Sequence, residues 1–198
     1  MKRFVTFEGI DGSGKSTISK GVYEKLKKEG YDAILTFEPT DTELGKIVKK
    51  CIEENYDPVV TTFAFIADRI QHVGEIKKWV KDNKIVLCDR YADSTYAYQA
   101  VQLEDIIENP IKWLKELHDR FIIKPELTFL CVLDVDKALG RIKNREKLVS
   151  FERKEFLEKV QKNYLHLASL ERERFVMIDA SKSVNKIVDE CMVKILER

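Results

Sequence analysis

Residues 4–17 read Phe-Val-Thr-Phe-Glu-Gly-Ile-Asp-Gly-Ser-Gly-Lys-Ser-Thr, and no other part of the chain constrains the fold as tightly. Gly9, Gly14, Lys15 and Ser16 fit the spacing G-x-x-x-x-G-K-[ST] of a phosphate-binding loop. The apolar run Phe4–Phe7 ahead of it reads as a buried strand, and Ser16 to Lys28 behind it as a helix. The glycines let successive backbone N–H groups turn inward around an anion, and the helix N-terminus adds its positive end. The segment Gly9, Ile10, Asp11, Gly12, Ser13, Gly14, Lys15, Ser16, Thr17 is therefore expected to cradle the phosphates of a nucleoside triphosphate. Lys15 can reach the outer phosphates, and the Ser16 hydroxyl can ligate Mg²⁺.

The 198 residues suffice for one α/β domain with a substantial core and are short for two. A net charge of +1 argues against a general electrostatic grip on nucleic acid or on an anionic membrane, so recognition of anions must be local. The longest apolar runs, such as Phe129–Leu133, are far too short to span a bilayer, and a cytoplasmic protein is expected. Cys51, Cys88, Cys131 and Cys191 show no C-x-x-C spacing and read as structural thiols.

Further strand signals fall at Ala33–Phe37, Ile85–Cys88, Leu127–Leu133 and Phe175–Ile178. Helical stretches run from about Glu43 to Glu54, from Pro58 to about Lys81 and from about Val184. This alternation implies a three-layer α/β fold, a parallel five-stranded sheet with helices on both faces, in a single domain over residues 1–198. Right-handed crossovers bring the C-terminal strand ends to one edge, where ligands bind. The segment Val59–Ala67 is apolar nearly all round, more than a helix covering one sheet face requires, and a homodimer through helix 58–81 is expected.

A phosphate loop alone does not separate a kinase from a GTPase switch or a mechanical ATPase. The Asn-Lys pairs at Asn83 and Asn185 each continue Ile-Val, so neither is a guanine-reading Asn-Lys-x-Asp motif. The third strand ends in Cys88-Asp89-Arg90-Tyr91, where Asp89 can organise Mg²⁺ and Arg90 leaves the strand beside the phosphates.

The run Asp89-Arg90-Tyr91…Ser94…Ala97-Tyr98-Gln99 resembles the thymidylate kinase signature D-R-Y-x-x-S-x-x-A-Y-Q. Phe4–Gly12 is similar to that family's opening strand and loop, and Phe65-Ile66-Ala67-Asp68-Arg69 resembles its F-x-A-x-R segment. Leu133-Asp134-Val135 and Ile178-Asp179-Ala180-Ser181 match its later strand ends, so the likeness covers essentially the whole chain in order. The resemblance implies an enzyme of the P-loop nucleoside monophosphate kinase class that uses ATP and Mg²⁺ to phosphorylate dTMP to dTDP. It implies that Arg90 contacts the acceptor phosphate, Arg69 hydrogen-bonds the thymine ring and Phe65, one turn earlier on the same face, stacks on the base. Ser94 belongs to the same dTMP site, Gln99 reads the thymine edge, and Asp11 meets the sugar 3′-hydroxyl or Mg²⁺ water. Tyr98 and Tyr164 crowd the 2′ position and favour deoxyribose.

In the family, the basic stretch after Asp134 is a lid over ATP, placed here at about residues 141–153. The phosphate loop carries no arginine, so a lid residue should supply transition-state charge, with Arg141 and Arg145 as candidates beside Lys15, Arg90 and Asp11. Ala180, Ser181 and Lys182 should border adenine.

One stretch departs from the pattern. Many bacterial relatives read Arg-Glu-Pro-Gly-Gly-Thr after the second strand, where this chain reads Phe37-Glu38-Pro39-Thr40-Asp41-Thr42. That form is more like archaeal members, and it leaves open how the acceptor phosphate is fully neutralised. His72, near Arg69, has no neighbours that suggest a metal, while His118 and His166 lie in charged helical stretches and read as surface residues. A deoxynucleoside kinase or other pyrimidine monophosphate kinase, and a nucleotide-binding switch, stand as alternatives.

Overall fold

The computed structural model describes residues 1, 3–118, 120–143 and 151–197. Strands β1 (Phe4–Glu8), β2 (Ala33–Phe37), β3 (Ile85–Asp89), β4 (Leu127–Val132) and β5 (Phe175–Asp179) form one sheet in the order β2-β3-β1-β4-β5. Every pairing is parallel. Parallel neighbours cannot be joined by tight turns, so each connection carries helix. These are α1 (Lys15–Lys28), α2 (Glu43–Glu53) with α3 (Pro58–Lys81), α4 (Ala92–Gln102) with α5 (Pro110–His118), and α6 (Val135–Lys143) with α7 (Phe151–Leu170). Helix α8 (Val184–Leu196) follows β5.

The strands fall within a residue of the sequence signals. Helix α4 does not announce itself by periodicity. Nine residues of α4 are buried, among them Asp93, Ser94, Thr95 and Gln99, so it has no polar stripe to set against an apolar one. Helix α3 starts where elementary rules place it, with Pro58 in its first turn and Asp57 Oδ1 accepting from Val59 N at 2.8 Å.

Helices α1 and α8 pack together over one sheet face; α3 and α7 pack on the other with α4 between them, and α5 packs against α4. The central strand β1 is buried throughout. Its period of two sends Phe4, Thr6 and Glu8 toward the α4–α7 layer. Phe4 meets Tyr91 edge-on at 5.1 Å, and Thr6 Oγ1 lies 2.8 Å from Thr128 Oγ1. Thr128 in turn accepts from Arg174, which holds Asp93 with both terminal nitrogens at 2.7 and 2.8 Å. All four cysteines are buried and unpaired, as structural thiols should be. No helix among the described residues is long and apolar enough to cross a membrane.

Candidate active site

The loop after β1 sits at the C-terminal edge of the sheet, where β1 lies between β3 and β4. Gly9 takes φ 141°, and a Cβ there would stand 2.5 Å from the Cys131 carbonyl oxygen. Gly12 (φ 79°) is pressed against the Ala138 carbonyl of α6, so both positions demand glycine. Gly14 caps α1 in the left-handed conformation, with no side chain between the helix N-terminus and a ligand. Beside this turn lies a cavity of about 480 Å³ lined by Gly12 to Ile18, Arg141, Ala180, Lys182 and Val184.

Lys15 is buried at 6% exposure, and its ammonium donates to Ile10 O at 3.3 Å and lies 3.9 Å from Asp11. Burial, aided by Arg90, pushes its pKa down to about 8. A cation so sparsely paired is poised for an anion. Arg90, at the end of β3, adopts φ 69°, and its backbone N–H donates to Phe7 O at 3.0 Å. This conformation turns its guanidinium back over the phosphate loop, donating to Gly9 O at 3.4 Å, Ser94 Oγ at 3.1 Å and Asp11 Oδ1 at 2.5 Å. Burial opposes ionisation of Asp11, but Arg90, Lys15 and Arg153 together hold its carboxyl below the usual range. Tyr98 OH accepts from Asp11 N at 2.9 Å, and its ring carries the Arg90 guanidinium at 5.0 Å. Thus Asp11, Lys15, Arg90, Ser94 and Tyr98 converge, although Tyr98 lies 87 positions from Asp11 in sequence.

Asp89 Oδ1 is buried with no hydrogen-bond partner, and Ser16 is exposed in the first turn of α1. Among the described residues no cluster of three His, Cys, Asp or Glu could hold a metal by itself. A lone carboxylate and a hydroxyl suit Mg²⁺, which keeps its waters and takes one or two carboxylates with substrate phosphates.

Arg69 is 1% exposed. Its Nε donates to Glu38 at 2.7 Å, Nη1 to Thr95 Oγ1 and His118 Nε2 at 2.9 Å each, and Nη2 to Tyr91 O at 3.1 Å. With Nη2 also 2.7 Å from Glu38, every nitrogen of the guanidinium has a partner. Glu38 meets His72 Nδ1 at 2.9 Å through its other oxygen. Phe65 is half-buried one turn earlier on α3. Gln99 follows Thr95 by one turn, on the α4 face that Thr95 turns to Arg69, and donates to Gln102 at 3.1 Å. Tyr164 is buried, with its hydroxyl 2.8 Å from Ser94 and 3.0 Å from Glu8.

The expectation for His118 is corrected. It is 1% exposed, with Nδ1 bonded to Leu114 O at 2.6 Å and Nε2 accepting from Arg69. Burial and the Arg69 charge push its pKa down to about 3, so it is a neutral acceptor. Ile111, Leu114 and His118 follow the i, i+3, i+7 pattern of an apolar face, a signal that the surrounding charges mask in the sequence. Thr95 and Glu38 escape sequence reasoning too, since nothing local marks their meeting with Arg69.

On the donor side Arg141 reaches from α6 to Gly12 O at 3.3 Å, Ser13 O at 3.4 Å and Ala180 O at 3.3 Å, tying the phosphate loop to the turn after β5. Ala180 and Lys182 line the same cavity, and Ser181 donates to Asp179 at 2.6 Å. Arg145 and the central part of the expected lid lie outside the described residues. At the departure after β2, Phe37 is 42% exposed, with the Lys49 ammonium 5.9 Å from its ring centroid. Asp68 accepts from Thr40 N at 2.8 Å and Thr40 Oγ1 at 2.5 Å, fixing the Thr40–Thr42 turn.

A family model described as thymidylate kinase matches residues 7–191. A relative named "Probable thymidylate kinase" from Methanosarcina barkeri is 41% identical over 197 residues, 98% of this chain and 96% of its own length. Relatives of the same name from Sulfurisphaera tokodaii and Methanoculleus marisnigri are each 41% identical, the first over 192 residues (96% and 94%) and the second over 177 (89% and 85%).

Proposed function

The chain belongs to the thymidylate kinase family, and from that premise we infer that it transfers the γ-phosphoryl group of ATP to dTMP, yielding dTDP and ADP. The observation that carries this reading is the sequence of charges Lys15, Asp11, Arg90. Asp11 lies 3.9 Å from the first cation and 2.5 Å from the second, so donor and acceptor phosphates can each face a cation across one carboxylate.

A phosphate monoester with a second pKa of about 6 is mostly dianionic at neutral pH and needs no general base. The difficulty is holding two anions in line, which calls for positioned cations rather than proton transfer. The loop N–H groups and Lys15 bind the donor phosphates, and Arg90 orients the acceptor phosphate. Ser16 and Asp89 would hold Mg²⁺, which supplies charge neutralisation at the donor phosphates. Arg141 adds charge beside the loop, with Arg145 as a second lid candidate. Asp11 meets the acceptor sugar, Tyr98 and Tyr164 crowd its 2′ position, and Phe65, Arg69 and Gln99 frame the base. Ala180, Ser181 and Lys182 border adenine. A single domain with a lid at residues 141–153, acting in the cytoplasm, fits this chemistry.

The proposed homodimer rests on α3. Val60, Phe63 and Ile70 are 51%, 49% and 40% exposed, and with Ala67 and Gly74 they repeat at spacings of three and four along one stripe. Nothing lies within 4 Å of a Cβ built on Gly74, which leaves room for close approach of a second helix.

ADP release from ATP and Mg²⁺ across a panel of nucleosides and monophosphates tests the reading. We expect dTMP to stimulate release most. Stimulation by another monophosphate instead would overturn the substrate assignment, and stimulation by none would overturn the kinase assignment.

A further inference from the structure

Glu8 ends the central strand directly beneath the phosphate loop, on the β1 face turned toward α4 and α7. Its Oε1 accepts from Tyr91 N at 2.8 Å, and its Oε2 accepts from Ser94 Oγ at 2.6 Å and Tyr164 OH at 3.0 Å. Ser94 Oγ also accepts from Arg90 Nη1 at 3.1 Å. None of the roles described above uses this carboxylate.

We propose that Glu8 is a positioning residue: its carboxylate fixes the proton order of the Ser94 and Tyr164 hydroxyls and, through Ser94, the aim of Arg90. The proposal rests on the reading of Arg90 as the acceptor-phosphate cation.

An ionised carboxylate only accepts, so Ser94 spends its single proton on Oε2 and leaves its lone pairs to Arg90 and to Tyr164, whose one proton is shared between Oε2 and Ser94 Oγ. A protonated Glu8 reverses this. With Oε1 taken by the Tyr91 N–H, the acid proton sits on Oε2 and donates to one of the two hydroxyls. Where it donates to Ser94, that hydroxyl must turn its own proton toward Tyr164 or toward the Arg90 N–H. In the second case Arg90 keeps its bond to Asp11 but loses its acceptor at Ser94; in the first, Ser94 still accepts from Arg90 and the Tyr164 hydroxyl is the group that turns away.

The surroundings set where this exchange occurs. Asp93 and Ser94 face Glu8 from α4, Tyr164 from α7, Lys15 from α1, Arg90 and Cys88 from β3, and Cys131 from β4. Burial and the Asp93 charge push the carboxyl up to about 7, against the opposing pull of Ser94, Arg90 and the Tyr91 N–H. For an acid with a folded pKa above its ordinary 4.5, the stability held at low pH is lost as pH rises through about 7. Ionised Glu8 thus serves alignment at some cost to stability.

The test is Glu8→Gln, whose amide imitates the protonated acid, compared with wild type from about pH 6 to 9. The ratio of wild-type to variant kcat/KM for dTMP should be near one at the acid end and rise to about tenfold at the alkaline end, the scale of one charge-assisted hydrogen bond. KM for ATP should stay within about twofold, and at pH 8 the variant should melt no lower than wild type. The titration of dTMP is common to both proteins and cancels in the ratio. A ratio constant with pH, or an equal loss toward ATP, overturns the proposal. If the variant does not fold, Tyr164→Phe decides. Removing a donor to the carboxylate should move the Glu8 midpoint upward in ¹³C-glutamate NMR, and an unmoved midpoint overturns the proposal even where no dTMP turnover is available to measure. Absence of turnover in wild type would instead refute the kinase reading.

Discussion

Arg69 offers the sharpest perturbation, because its guanidinium is buried with every nitrogen engaged and its charge is matched by Glu38. Replacing it by methionine keeps the aliphatic volume and removes the fork. Glu38, 5% exposed, is left with His72 as its remaining side-chain partner, and Thr95, His118 and the Tyr91 carbonyl each lose a donor. Breaking a buried pair from one side costs about 3–5 kcal/mol. For a chain of this length each kcal/mol moves the melting temperature by about 2–4 °C, so Arg69→Met should melt about 6–20 °C lower. The assay is a double-mutant cycle with Glu38→Gln, read by reversible thermal or urea unfolding. The double variant should be more stable than the sum of the single effects allows, by at least about 1 kcal/mol, because the second change removes the charge that the first left unpaired. Additive losses would refute the account of Arg69 and Glu38 as one unit. At a temperature where Arg69→Lys is folded, KM for dTMP should rise about tenfold while KM for ATP holds, since the lost fork is what frames Thr95. Equal effects on both substrates would reject any role at the base.

Two further outcomes can be checked. His118 has a folded pKa of about 3 against an ordinary 6.5, so the unfolded chain binds the extra proton between those values and stability falls as pH drops through that window. His118→Gln, which keeps an acceptor for Arg69, should flatten this acid slope by up to about 1.4 kcal/mol per pH unit in denaturant titrations, and an unchanged slope would contradict the buried neutral imidazole. Val60→Asp combined with Ile70→Glu should convert a dimer to a monomer in sedimentation equilibrium while leaving thermal stability of the protomer nearly unchanged; a monomeric wild type, or a variant that still dimerises, would exclude the α3 interface.

What could be read in the chain follows the range of the interactions involved. The phosphate loop is legible because Gly9, Gly14, Lys15 and Ser16 stand in a short fixed register, even though what demands glycine at Gly9 and Gly12 is the approach of Cys131 and Ala138 from distant parts of the chain. The strands were legible because each is a short apolar run between turn signals. Helix α4 was not, since a helix buried on nearly every side has no polar face to reveal its period. The buried polar networks behind the proposed acceptor site are assembled from segments far apart. Glu8 meets Tyr164 across 156 positions, and Arg174 meets Asp93 across 81. No composition or spacing rule anticipates those partners. A weaker signal does exist: a polar residue standing where the period demands an apolar one. Thr6 and Glu8 on the inward face of β1, and His118 on the Ile111–Leu114 face of α5, all break their patterns in this way. Each of the three is satisfied by a partner from another element, because an unpaired polar group at that depth would be too costly to keep. Polar exceptions on an apolar face therefore point to long-range networks before their partners can be named, and here those of Glu8 and His118 reach Arg90 and Arg69, the two arginines proposed above to recognise the acceptor.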